Sequence, residues 1–164
     1  MEVYHQAQAE FQQATRLVCV GRNEDAEDDL RRQIAEFGLE GQVSLEGEAS
    51  DQELSDWYAR SDIFALFSQY EAFGLVYFEA MAYGVPVLTH DVGANSELLI
   101  RGAVVTGRFN KDGAAAELVR LVNDDDYRRQ LGRQAQNHAL SEFAWSAVAA
   151  KYLDIYSTTE PRGR

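Results

Sequence analysis

The sequence predicts an α/β domain in which helices cover both faces of a mainly parallel sheet, a three-layer α/β/α arrangement. Three observations carry this. Short β-branched or aromatic runs alternate with longer stretches at helical spacing, as repeated strand–helix units require. The runs RLVCV (16–20), DIFALF (62–67) and VL (87–88) are apolar throughout once past the opening Arg16 and Asp62, of the kind buried on both faces. Finally, the 164 residues contain only two prolines and show no internal repeat, low-complexity tract or Pro/Gly-rich linker, so they read as one domain over 1–156. The tail 157–164, with Pro161 and Gly163, is expected to be disordered.

Each element follows from local signals. Val3, Tyr4, Ala7 and Phe11 line one side of an opening helix, and residues 16–20 form a strand ending at Gly21. An acidic amphipathic helix over 26–37 is closed by Gly38, a good left-handed terminator, and the cluster Glu24, Asp25, Glu27, Asp28, Asp29 suits its solvated first turn. Residues 43–45 are a short strand. Ser50 and Glu53 form a capping box for a helix whose apolar face is Leu54, Trp57 and Tyr58. Residues 62–67 are the strongest strand. A helix over 74–83 is stopped by Gly84 and Pro86, and residues 87–88 are a further strand. Asn95 or Ser96 caps a short helix through Ile100, residues 102–105 are a strand or loop, and helices follow over 114–122, 126–140 and 141–156. Trp57, Tyr58, Trp145 and Tyr152 are assigned to the core, Asp124 and Asp126 to a capping turn, and His5 and His138 to no partner. A domain of this type opens with a strand, whereas this one opens with a helix: the sheet starts late or belongs to something longer.

Charge narrows the function. Acidic residues outnumber basic ones 27 to 15, a net −12 that repels a phosphate backbone and argues against nucleic-acid or anionic-lipid binding. The single Cys19 excludes an internal disulfide framework or thiolate metal cluster and sits where a buried, inert thiol is expected. No His, Cys, Asp or Glu pair has metal-ligand spacing. No run approaches the roughly 18 apolar residues of a membrane span, and residues 1–15 carry Glu2, His5 and Glu10 without a secretory apolar region, so a cytoplasmic location is expected. G-x-G-x-x-G, Walker and G-x-S-x-G patterns are missing, against an NAD enzyme, a P-loop ATPase and a hydrolase.

The chemistry concentrates in residues 68–88, SQYEAFGLVYFEAMAYGVPVL. Residues 68–73 form a loop at the carboxyl end of a strand, where open parallel sheets bind ligands. The helix that follows offers unpaired N–H groups at Phe73, Gly74 and Leu75 and the positive end of its dipole, a phosphate site. Gly74 lets a ligand approach closely. Glu71 and Glu79 flank that turn, and a carboxylate accepts hydrogen bonds from vicinal hydroxyls. A diphosphate at the helix start, a ribose near Glu79 and a second sugar near Glu71 describe a nucleotide-diphosphate sugar.

The segment EAFGLVYFE followed by AMAYGVPVL resembles the E-x7-E signature of the retaining "group 1" glycosyltransferases of GT-B fold. The likeness extends to residues 17–21 (L-V-I-V-G), 43–47 (F-x-G), 50–65 (S-D-E-E-L-x-x-x-Y-x-x-A-D-V-F), 91–98 (D-V-G-G-x-P-E-L) and the closing helix over 143–156. It implies a Rossmann-like domain, the C-terminal, donor-binding half of a GT-B enzyme, with Glu79 on the ribose, Phe73, Gly74 and Leu75 on the diphosphate and Gly47 near the base. It makes Glu71 the catalytic residue, contacting the donor sugar. It also implies transfer with retention, no cofactor and no obligatory metal.

Three departures accompany the resemblance. Ala72 stands for the usual Gly in E-G-F-G, and His90 and Ala94 narrow the D-V-G-G region. The family's first strand, its basic loop and the N-terminal acceptor domain fall outside these residues, leaving Arg22 as the basic group placed to meet the diphosphate. The chain alone is therefore expected to be inactive, to need that domain as partner and to touch a membrane only through it. Its open sheet edge favours self-association. The competing reading is a stand-alone nucleotide-sugar-binding or partner-docking module without catalysis. A receiver-like signalling domain ranks lower, because its acidic cluster, Asp and Lys are not laid out here.

Overall fold

The computed structural model describes residues 1–22 and 26–158. Five parallel strands and eight α-helices build it: α1 Glu2–Ala7, β1 Leu17–Val20, α2 Glu27–Glu36, β2 Val43–Gly47, α3 Asp51–Arg60, β3 Phe64–Leu66, α4 Leu75–Ala82, β4 Val87–His90, α5 Asn95–Leu98, β5 Ala103–Thr106, α6 Lys111–Asn123, α7 Asp125–His138 and α8 Trp145–Thr158. The predicted boundaries hold where a local signal sets them. Ser50 and Glu53 close their capping box, and Asp124 accepts from the Tyr127 amide at the start of α7. Gly38 and Gly84 end α2 and α4 in left-handed conformations.

Side-chain alternation assigns the layers. Ile34 and Phe37 of the α2 end, Val3, Tyr4 and Ala7 of α1, and Ala114, Leu118 and Leu121 of α6 share one core with Leu17, Val43, Leu88 and Val104. On the opposite face α4 and α7 pack against Phe64, Leu66, Val87, Ala103 and Val105, and α3 adds Leu54 and Tyr58 beside Phe64. The domain is thus the expected three-layer α/β/α type.

One expectation changes. The strands form two hydrogen-bonded sheets, β1–β2 and β3–β4–β5, rather than one. The β1–α2–β2 crossover lies over the first face, whereas α3 and α4 carry β2 to β3 and β3 to β4 over the second.

Other corrections are local. The strand expected over 62–67 is confined to Phe64–Leu66, because the Thr89 hydroxyl takes the Leu66 carbonyl at 2.7 Å where the ladder would continue. Asn95 does not cap α5 and neither does Ser96. The Asn95 side-chain amide turns inward and donates to the His90 carbonyl at 2.9 Å. The single helix expected over 141–156 is instead a π turn, Ala139–Phe143, followed by α8. Trp145 (89 % exposed) and Tyr152 are not core, because α8 leaves the body past that turn and buries none of its residues. His138 is not partnerless: it is buried and its Nε2 donates to the Leu98 carbonyl at 2.9 Å. His5 stacks on Phe37 at 4.4 Å. Ser157 and Thr158, placed in the tail, finish α8, and residues 159–164 lie outside the described residues. So do Glu24 and Asp25 of the acidic cluster; Glu27, Asp28 and Asp29 occupy the first turn of α2. Cys19 is half-buried, and burial raises its thiol pKa. No helix among the described residues is long and apolar enough to cross a membrane.

Candidate functional site

Within each sheet the strands are parallel, so their carboxyl ends lie together, and the sequence-selected residues follow those ends. Gly21 and Arg22 follow β1, Gly47 ends β2, residues 67–74 follow β3, 91–94 follow β4 and 107–110 follow β5.

The helix mouth is built on Gly74, which starts α4 at φ 74° and ψ 55°. A Cβ there would lie 2.3 Å from the Tyr77 ring, so glycine is demanded by packing as well as by backbone conformation. Tyr77 is fully buried and its hydroxyl meets Thr89 Oγ1 at 3.1 Å. The α4 start is therefore locked to β4. Phe73 directs its N–H at Glu71 Oε1, 3.4 Å away, and its ring rests on Phe78 at 5.4 Å. Among the described residues the amides of Gly74, Leu75 and Val76 then have no hydrogen-bond partner.

Two carboxylates flank this mouth. Glu71 is half-buried in the loop, and its main chain lies against Gly93: a Cβ on Gly93 would come within 1.8 Å of the Glu71 carbonyl oxygen. Glu79 stands exposed one turn beyond the Leu75 start of α4, and the Tyr58 hydroxyl of α3 donates to its Oε2 at 3.1 Å. Tyr58 is itself buried. Burial first, then the Glu79 charge and hydrogen bond, raise its pKa far above the ordinary tyrosine value, so it remains a donor at any working pH.

Behind the mouth lies a buried polar layer. Asn95 Nδ2 reaches Thr89 Oγ1 at 3.3 Å, Thr106 Oγ1 donates to the Thr89 carbonyl at 3.2 Å, and His90 Nδ1 meets Thr106 Oγ1 at 3.0 Å. Burial, and then the charge of Lys111, lower the His90 pKa. His90 is thus a satisfied structural residue.

At the other half-sheet, Gly21 N–H donates to the Gly47 carbonyl at 2.8 Å, and Gly47 has open space around its Cα at φ 72°. The Arg22 guanidinium donates to Glu48 at 2.8 Å. Asp91 lines an open hollow of about 310 Å³ with Ser96, Thr106 and Gly107, and Glu97 is exposed. No group of three His, Cys, Asp or Glu among the described residues is placed to hold a metal ion.

Sequence reasoning missed Tyr58 and Gly93 as parts of this edge. Tyr58 carried a signal only as the apolar position of a helix. Gly93 entered only within the stretch 91–98, since nothing local reveals which backbone a loop will touch.

A three-layer domain with this helix mouth on its carboxyl edge is a Rossmann-like domain of GT-B type. The chain belongs to the glycosyl transferases group 1 family, whose profile matches residues 1–138. It is 36 % identical over 126 residues to the D-inositol 3-phosphate glycosyltransferase of Thermobispora bispora, an alignment covering 75 % of this chain and 29 % of that one. The sucrose-phosphate synthase of Thermosynechococcus elongatus superposes with a TM-score of 0.80 and 26 % identity, over 95 % of this chain and 41 % of that one. Anabaena HepE in complex with UDP-glucose gives 0.80 and 25 %, over 97 % and 45 %. The chain spans about a third of the length of the curated relatives it matches.

Proposed function

We propose that the carboxyl edge holds a nucleotide-diphosphate sugar and that the chain is the donor-binding half of a retaining glycosyltransferase. The observation that supports this most is the mouth of α4: three amides without partners among the described residues, at a helix N-terminus, between Glu71 and Glu79. Amides and helix dipole suit a diphosphate, and carboxylates suit the hydroxyls of a ribose and a hexose. The UDP-glucose complex of HepE, a protein similar over nearly all of this chain, supports the same ligand class.

In this reading Gly74, Leu75 and the neighbouring Phe73 backbone hold the diphosphate, Glu79 the ribose, and Gly47 lies near the base. Arg22 supplies positive charge, and Glu71 positions the donor sugar. The bond from the anomeric carbon to the diphosphate oxygen breaks, and a bond from that carbon to an acceptor hydroxyl oxygen forms on the same face. The hydroxyl proton passes to the departing phosphate oxygen, whose charge the helix-mouth amides stabilise. The acceptor site belongs to a second domain, so the chain alone binds donor without turning it over. The reaction needs no metal.

Calorimetric titration with UDP-, GDP- and ADP-sugars tests this, with Glu79→Ala as control and repetition in EDTA. One nucleotide sugar is expected to bind with and without EDTA, and Glu79→Ala to weaken it at least about tenfold, roughly 1.4 kcal/mol. No binding by any donor, or equal binding by the variant, contradicts it.

A further inference from the structure

A hollow of about 310 Å³ opens where β5 meets α5 and the loop after β4. Its floor is apolar: Leu99 is buried, and Ala103 and Val105 are half-buried. Two polar side chains line it, Asp91 and Ser96, and among the described residues neither the carboxylate nor the hydroxyl has a hydrogen-bond partner. Thr106 also lines it but is already committed, donating to the Thr89 carbonyl and meeting His90 Nδ1.

The frame of the hollow is fixed by the backbone. The Asp91 N–H donates to the Thr106 carbonyl at 2.8 Å, and the Leu99 N–H to the Asn95 carbonyl at 2.9 Å. Asn95 is itself anchored in the buried polar layer. The hollow is also separate from the α4 mouth. The loop 91–94 lies between them, with Gly93 against the main chain of Glu71 and Asp91 in the hollow.

The lining selects a ligand class. An anion would meet the Asp91 carboxylate on a chain of net charge −12. A divalent cation would find one carboxylate there, and no group of three metal-ligating side chains exists among the described residues. A purely apolar molecule would strip water from Asp91 without replacing its hydrogen bonds. A small ammonium ion would use Asp91 alone and leave the apolar floor wet. A hydroxylated ring uses the whole surface: its hydroxyls meet Asp91 and Ser96, and its C–H face covers Leu99, Ala103 and Val105.

We propose that this hollow is a second ligand site, for a single hydroxylated ring of the monosaccharide class, distinct from the nucleotide-sugar site at the α4 mouth. It stands whether or not that mouth takes a nucleotide sugar.

Amide NMR titration of the full chain with D-glucose, D-mannose and D-galactose tests it, with sodium phosphate and methylammonium chloride as probes of the other classes. At least one sugar is expected to shift the Ser96, Ala103, Val105 and Gly107 amides saturably, with the millimolar dissociation constant of one small ring. Asp91→Ala is expected to weaken that binding at least about tenfold. Ser96→Leu, at an exposed position, obstructs the hollow without touching Asp91 and is expected to weaken it likewise, at an unchanged melting midpoint. Prior saturation of the chain with a nucleotide sugar is expected to leave the monosaccharide titration unaltered. No saturable shift with any of the three sugars, equal binding by both variants, or saturation by phosphate or methylammonium would overturn the proposal. So would loss of the monosaccharide response when a nucleotide sugar is bound, which would make the hollow the pocket of the donor's own hexose. Failure of the donor reading shows elsewhere, at the Gly74, Leu75 and Val76 amides.

Discussion

The Tyr58 hydroxyl donates to Glu79 Oε2 at 3.1 Å, so a buried phenol on α3 holds the exposed carboxylate that flanks the α4 mouth. Its ring packs against Phe64 and Tyr83, which fixes the hydroxyl without using it. Tyr58→Phe keeps that packing and removes the tether. The expected loss is about 1 kcal/mol of donor binding, a several-fold weaker dissociation constant by calorimetry, with little change in melting midpoint. Unaltered affinity means that Glu79 needs no tether.

Gly93 sets the height of the Glu71 loop. Because a Cβ there would collide with the Glu71 carbonyl and meet an unfavourable left-handed backbone, Gly93→Ala is expected to cost roughly 1–3 kcal/mol in urea unfolding. It should also lower donor affinity, and less than additively when combined with Glu71→Gln, since both act through one group. Strict additivity would separate the two residues.

The pH dependence of stability follows from His90. Its folded pKa is lowered by burial and by Lys111, while in the unfolded chain it ionises near the ordinary value of about 6.5. Below that value protons favour the unfolded chain, so the stability His90 contributes is complete above about pH 6.5 and is lost as pH falls toward its folded pKa. Thermal melts at about pH 7.5 and pH 5 should show a smaller acid loss for His90→Gln than for the parent chain. Parallel losses would assign the acid sensitivity elsewhere.

Two aromatic residues near the π turn should behave oppositely. Phe143 stacks on Phe78 at 3.9 Å, so Phe143→Ala is expected to cost about 2–4 kcal/mol. Trp145→Ser, at an exposed position, should stay within about 0.5 kcal/mol. Denaturant titration of both variants distinguishes a body that ends at the π turn from one that includes α8.

Local signals made much of this fold legible. Gly38, Gly74 and Gly84 mark helix ends because few other residues adopt a left-handed backbone, and the Ser50–Glu53 box depends on four consecutive residues. The helix mouth and its two acids were readable because strand, loop and helix are contiguous in sequence. What was not readable is tertiary. The apolar spacing of Trp145 and Tyr152 is the same whether or not another element covers it. His138 and Asn95 find their partners 40 and 5 residues away through packing. The division into a β1–β2 and a β3–β4–β5 sheet is a property of pairing, which a strand's own residues do not encode. Tyr58 was legible as apolar, and only its neighbour 21 residues on gives its hydroxyl a task.

The most direct measurement is an amide NMR titration of the chain with UDP, GDP and ADP, each followed by its sugar derivative. The Gly74, Leu75 and Val76 amides should shift together and saturably with one nucleotide, with Glu71 and Gly93 moving further only when the sugar is attached. Saturable shifts elsewhere, with those three amides still, would contradict the assignment of the α4 mouth as a diphosphate site.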